Sequence, residues 1–253
     1  MTNFFKYRFT LLLLLAPLLV SPNLAFSKNI NNDSFSKAKK LLEKQVYTEN
    51  AYRVTIYCGA SFNTKKKITA KNGFSTHKYR NRAKKIEWEH VVPAENFGRN
   101  FVAWRDGDAK CVNSKGKHYK GRRCANKVDE EYKLMQADMY NLYPAIGSVN
   151  AARSNYNFVA SVSSATDFGQ CAMKIEKRKA EPPVKARGQI ARSYLYMDKT
   201  YSQYKMSKQQ RQLMKAWNKQ YPPTQWECER GERIRHLQQS NNQILVQRCG
   251  GHS

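Results

Sequence analysis

Acidic residues are scarce in this 253-residue chain: 19 aspartates and glutamates stand against 45 lysines and arginines, for a formal net charge of +26. An excess of that size is more than solubility asks for. It points to a polyanionic partner, whether a phosphate backbone, an acidic lipid or an acidic polysaccharide, without supplying any chemistry. C-x-x-C is also missing, which sets aside a zinc ribbon or a thioredoxin-like site. Neither H-E-x-x-H nor G-x-S-x-G occurs, so the zincin proteases and the α/β-hydrolases lack their signatures here. No internal repeat is visible, which argues against a solenoid.

What is present begins with export. Lys6 and Arg8 precede a stretch from Phe9 to Ser27 without a charge, whose apolar core is Leu11 to Leu15 and Leu18 to Val20. Pro17 and Pro22 interrupt it, so it reads as a secretory signal peptide and not as the ~20-residue helix that spans a bilayer. Cleavage after Ala25 or Ser27 makes 1–27 the signal peptide and 28–253 a single domain with no membrane span, bound for the periplasm or the medium. Losing Lys6 and Arg8 leaves the positive excess nearly whole. Cys58, Cys111, Cys124, Cys171, Cys228 and Cys249 then meet an oxidising compartment in an even number, so disulfides are expected. Nearness in sequence favours Cys111–Cys124 and Cys228–Cys249.

Periodicity divides the domain. Ser34 and its neighbours cap a helix with Phe35, Ala38, Leu41, Leu42 and Val46 on one face. Alternation predicts strands over Tyr52–Cys58 and Ile86–Val92, the second stopped by Pro93. Residues 105–127, rich in Gly, Lys, Arg and Asn, read as a stapled surface loop that faces phosphate. Helical spacing returns over Glu130–Tyr140, breaks at Pro144 and Gly147, and resumes over Ser148–Phe158. Beyond Pro182-Pro183 come a helix carrying Ile190, Ala191, Tyr194, Leu195 and Tyr201, a second opened by a Ser207/Gln210 capping box, and a last one near Trp226–Gln239, with frayed residues after it. Tyr194, Trp217 and Trp226 read as core and not as base-stacking platforms.

Hydrolysis of a phosphodiester needs a base for water, a cation for the oxyanion and leaving oxygen, and positive side chains. Glu89-His90 offers two of these in adjacent positions, although successive strand residues point to opposite faces unless the strand ends or bends there. Downstream lie Asn141-Leu-Tyr-Pro-Ala-Ile-Gly-Ser-Val-Asn150 and Ala151-Ala-Arg153-Ser-Asn-Tyr156.

The E-W-E-H-V-V-P block, Gln136 to Tyr156 with its N-L-x-P-x-x-G-x-V-N pattern, Arg187 to Met197 and the region from Trp217 to Ile234 together resemble the endonuclease I family of periplasmic and secreted bacterial nucleases, members of the ββα-metal group. The resemblance implies an α+β fold: a single mixed α/β domain with a central ββα-metal (His-Me finger) element surrounded by helices. It implies that His90 is the general base, that Glu89 and Asn150 hold one Mg²⁺, with Mn²⁺ or Ca²⁺ as substitutes, and that the enzyme acts on DNA and RNA through the phosphate backbone and leaves 5′-phosphate ends. Asn141 would orient the loop or the histidine, and Arg153 would contact phosphate. The family arginine that steadies the cleaved phosphate falls among Lys110, Arg122 and Arg123. Gln136 stands where the family often has glutamate, and Ala60 where relatives often have a further cysteine, so one family disulfide is expected to be absent. The chain is expected to act as a monomer, with activity rising through roughly pH 6 to 7 as the imidazole becomes neutral. A non-catalytic basic protein that coats nucleic acid or another polyanion fits charge and export equally well, but has no use for the joined Glu-His and Asn motifs.

Overall fold

The computed structural model describes Met1 and residues 28–250, so the signal peptide assigned to 1–27 lies, apart from Met1, outside the described residues. Helix α1, Phe35–Leu41, starts where Ser34 accepts a hydrogen bond from the Lys37 amide and runs on into a π-helical turn, Leu42–Val46. Ala38, Leu42 and Val46 are buried, as their spacing required. The strand expected over Tyr52–Cys58 does not form. Asn50–Tyr52 is a 3-10 turn, Val54 makes a single bridge to Ser61, and the chain reverses where the Gly59 amide donates to the Thr55 carbonyl at 3.0 Å. Gly59 holds φ +65, a left-handed conformation open to glycine, and this turn overrides the alternating pattern before it.

A small ribbon follows, β1 (Ser61–Phe62) with β2 (Ile68–Ala70), and then β3 (Ile86–His90). Three short helices come next, α2 (Ala94–Gly98), α3 (Val102–Arg105) and α4 (Arg122–Val128). The expected 105–127 loop is therefore shorter than its composition suggests: its last residues are helical, and the Cys111–Cys124 disulfide ties that helix back to the loop. Helix α5 (Glu130–Gln136) is capped by Asp129, and a 3-10 turn, Met139–Asn141, leads into β4, Leu142–Ile146.

Strand β4 corrects a second expectation, that Pro144 breaks structure. It pairs antiparallel with β3, setting His90 opposite Leu142, Trp88 opposite Pro144 and Ile86 opposite Ile146. The Pro144 carbonyl points away from β3 and accepts from the Ile56 amide at 2.9 Å. Because a strand residue aims its N–H and C=O the same way, the N–H that proline lacks would not have joined the β3–β4 ladder. Helix α6, Gly147–Arg153, follows at once and completes a ββα unit; it is shorter than the Ser148–Phe158 stretch expected to be helical, since Ser154 turns out at φ +52.

The rest of the chain encloses that unit. Strand β5 (Asn157–Phe158) pairs parallel with β7 (Lys179–Glu181), which pairs antiparallel with β6 (Lys174–Glu176). The long helices α7 (Arg187–Thr200) and α8 (Lys208–Gln220) pack on each other, followed by α9 (Gln225–Gln238) and α10 (Gln243–Cys249). Residues 243–249, beyond the last helix expected, form a further helix held by Cys228–Cys249, and the last residues, 251–253, lie outside the described residues. Both local disulfides form as their spacing suggested, Cys58–Cys171 completes the set, and Ala60 is buried without a sulfur partner. Tyr194 and Trp217 are buried and Trp226 stacks on Tyr52 at 3.8 Å, so all three serve packing. The whole is α+β, with the ββα unit inside a helical shell as the resemblance implied.

Three arginines lie among the largest fully buried side chains. Arg192 makes a two-pronged pair with Glu227, at 2.6 and 2.5 Å, joining α7 to α9. Arg230 donates to the Met139 and Leu142 carbonyls and lies over the Tyr143 ring at 3.8 Å, which fixes the entry to β4. Arg153 does the same for the end of β3. No helix among the described residues is long and apolar enough to cross a membrane.

Candidate active site

A cleft of ≈ 640 Å³ lies along β3, and its walls include Glu87, Glu89, His90, Asn150 and Arg122. Strand β3 ends at His90, so the obstacle that adjacent strand residues face opposite ways does not apply: both Glu89 and His90 reach the cleft. His90 is held from several sides. Its Nε2 lies 2.8 Å from the Gln136 carbonyl oxygen, an atom that can only accept, so Nε2 carries the proton and Nδ1 keeps its lone pair. Phe35 packs on the ring, with centroids 4.8 Å apart. Burial first, and then the positive charges of Arg122, Arg153 and Lys39, push the His90 imidazole down to about 3. The packing thus moves the titration of this ring below the pH 6 to 7 range expected of a free imidazole.

Glu89 is only 3% exposed. Its Oε1 accepts from the Tyr57 hydroxyl at 2.9 Å and from Arg153 Nη1 at 2.9 Å. Burial lifts the carboxyl above its usual range, opposed in part by the Arg153 guanidinium and the Tyr57 hydroxyl. The second oxygen, Oε2, has no hydrogen-bond partner among the described residues. Asn150 stands one turn into α6, and its Nδ2 donates to Glu87 Oε2 at 2.9 Å. That bond turns the amide oxygen away from Glu87. Arg82 clamps the same Glu87 carboxylate from the other side, through Nε at 2.8 Å and through Nη2.

Two hard oxygen donors of the kind a magnesium ion prefers, a carboxylate oxygen and an amide oxygen, therefore belong to residues of one cleft and have no hydrogen-bond partner among the described residues, and the residues present fit such an ion. Among the described residues no group of three or more His, Cys, Asp or Glu could hold a metal.

Other expected site residues separate cleanly. Asn141 accepts from the Val92 amide at 2.7 Å and donates to the Val92 carbonyl at 2.9 Å, so it orients the loop after β3 and does not touch the imidazole. Arg153 is corrected: it is wholly buried, spends Nη1 on Glu89 and the His90 carbonyl and Nη2 on the Val91 carbonyl and Tyr194, and cannot reach a phosphate. Of the three cations proposed for the cleaved phosphate, Arg122 lines the cleft. Arg123 lies over Tyr119 at 4.2 Å, and Lys110 sits in the exposed 106–121 loop, where its carbonyl accepts from Lys127; neither lines the cleft. The Gln136 amide oxygen accepts from Arg122 at 3.4 Å, while the histidine is held by the Gln136 backbone, which any residue would supply.

Sequence spacing gives no role to Arg82, while Glu87 and Glu89 stand two apart in a strand and so share a face. Gly147 does more than break a helix. A Cβ there would come within 2.6 Å of the Arg82 carbonyl and 2.8 Å of Glu87 Oε1, so the glycine is what lets α6 start against this clamp.

A two-stranded antiparallel ribbon running into a helix, with a backbone-oriented neutral imidazole beside hard oxygen donors and an arginine, defines the chain as a nuclease of the ββα type. Residues 25–247 match the family model described as Endonuclease I. The chain is similar to an extracellular deoxyribonuclease of Aeromonas hydrophila, 39% identical over 250 residues, covering 96% of this chain and 99% of that protein. It is similar to a periplasmic deoxyribonuclease of the same species, 40% identical with 77% and 79% covered. Endonuclease-1 of Buchnera aphidicola subsp. Acyrthosiphon pisum (strain APS) is 37% identical over 85% of this chain and 88% of its own. The chain belongs to the endonuclease I family.

Proposed function

We propose that this nuclease is an exported, Mg²⁺-dependent endonuclease that hydrolyses DNA without reading sequence, accepts RNA in the same cleft, leaves 5′-phosphate ends and acts as a monomer. The observation that carries the reading is the His90 tautomer: Nε2–H is committed to the Gln136 carbonyl, which leaves Nδ1 as a proton acceptor in the cleft. In this reading Nδ1 takes the proton of the attacking water. Glu89 and Asn150 would hold the cation, which when bound would supply charge neutralisation for the phosphate and the departing oxygen. Mn²⁺ and Ca²⁺ share that taste for oxygen and are candidate substitutes. Arg122 steadies the cleaved phosphate, Glu87 with Arg82 sets the Asn150 amide, and Arg153 with Tyr57 sets Glu89. Indifference to sequence follows if binding runs through Lys and Arg to phosphate, since such contacts read no base edge.

Relatives named extracellular and periplasmic support the exported setting. Plasmid digestion in Mg²⁺ and in chelator tests the core of the proposal, with His90→Ala binding DNA but not cutting it. Full activity of that variant, or undiminished activity in chelator, removes the mechanism. A basic protein that merely coats polyanions would bind without turnover at every metal concentration.

A further inference from the structure

We propose that a second basin, reached from the catalytic cleft past Asn155, is a phosphate-binding subsite for nucleic-acid backbone that runs on beyond the scissile bond; this rests on the nuclease reading above. Asn155 stands on the wall of both the cleft and this basin of ≈ 420 Å³. The basin is lined by three cations, Arg99, Arg178 and Lys205, and by no carboxylate residue. Two of them are tethered within the protein, Arg99 to Glu95 and Lys205 to the Asp198 carbonyl. Arg178 has no hydrogen bond or ion pair among the described residues.

Arg178 is presented in an unusual way. Glu176 pairs with Lys179, so Lys177-Arg178 is a two-residue hairpin turn between β6 and β7. Both residues hold positive φ, +45 and +64. A turn of that kind favours Asn-Gly, because a Cβ is strained in the left-handed region. Two long cationic side chains occupy it instead, and an unpaired guanidinium faces a polar basin next to the cleft. A guanidinium fork matches a phosphate, and Tyr156 and Tyr204 complete a wall suited to a sugar-phosphate chain.

The test is Arg178→Asn, which relieves the left-handed strain and so keeps the hairpin. Binding of fluorescent duplexes is measured in chelator, where no cleavage occurs, over a range of salt, with one duplex of about 24 base pairs and one of about 6. For the long duplex the slope of log Kd against log salt is expected to fall by about one, with severalfold weaker binding at physiological salt, while the short duplex keeps the wild-type slope. An unchanged slope on the long duplex overturns the proposal, and so does an equal loss on both duplexes. Failure of the nuclease reading shows separately, as no cutting by the wild-type protein in Mg²⁺.

Discussion

At the scale of single residues, the site is built less by the groups that would touch substrate than by those that fix them. His90→Ala is expected to lower cleavage by about 10²–10⁴-fold, the usual contribution of a general base, with DNA binding retained in an electrophoretic shift assay. The pH dependence follows from the environment of the ring. Its folded value is pushed down to about 3, while the unfolded chain takes up that proton near the free imidazole value. Between those limits the unfolded state holds more protons, so stability is complete above the unfolded value and is lost as the pH falls through that window. Cleavage in saturating Mg²⁺ should therefore show no histidine inflection between about pH 6 and 7, and urea titrations should show a steeper acid loss for wild type than for His90→Gln. A clear inflection there would mean that Arg122, Arg153 and burial do not act on the ring as the packing indicates. Arg153→Met leaves Glu89 a buried carboxylate without its cation and is expected to cost about 3–5 kcal/mol in a denaturant melt, whether or not metal is added.

At the scale of elements, two junctions govern the site. The β4–α6 junction has no room for a side chain at Gly147, so Gly147→Ala should destabilise by about 1–3 kcal/mol and should weaken Mn²⁺ binding, read by paramagnetic resonance, because the Arg82–Glu87 clamp on Asn150 must shift. Unaltered metal affinity would show that the clamp does not set the amide. The second junction is the loop into α4, where Arg122 is the first helical residue and Cys124 is bonded to Cys111. Replacing both cysteines by serine is expected to remove about 3 kcal/mol of stability, from the loop closed, and to cut activity further at temperatures where the fold persists. Thr224→Ala, at the start of α9 and on the wall of neither the cleft nor the basin, serves as a contrast: about 1 kcal/mol lost with the turnover of the remaining folded protein unchanged.

At the scale of the whole molecule, the charge imbalance sets the reach of the enzyme. With 45 basic and 19 acidic residues, the field around the protein concentrates phosphate polymers, and both binding and kcat/KM at low substrate should fall steeply as salt rises. A turnover number that resists salt while KM climbs would place the charge in capture and not in chemistry. The disulfides act at this scale too, since Cys58–Cys171 joins the turn beside β4 to the segment before β6, across 113 residues.

How much was legible follows the range of the physics involved. Local periodicity and capping chemistry located α1, α8, α9 and all of β3, which ends two residues before the expected stop, because those features depend on neighbours a few residues away. Charge and cysteine count pointed to a polyanionic partner and an oxidising compartment, since both are sums over the chain. The E-W-E-H and N-L-x-P-x-x-G-x-V-N blocks singled out His90, Glu89 and Asn150, and the fold brings all three to one cleft. Strand β4 stayed hidden, because Pro144 reads as a breaker until its carbonyl is seen to face Ile56. The inward turn of Arg153, the position of Arg122 on the cleft wall where Lys110 and Arg123 are not, and the Arg82–Glu87–Asn150 clamp were decided by tertiary structure alone. Each depends on which groups from distant segments come within hydrogen-bonding distance in a water-poor interior, and sequence spacing carries no record of that.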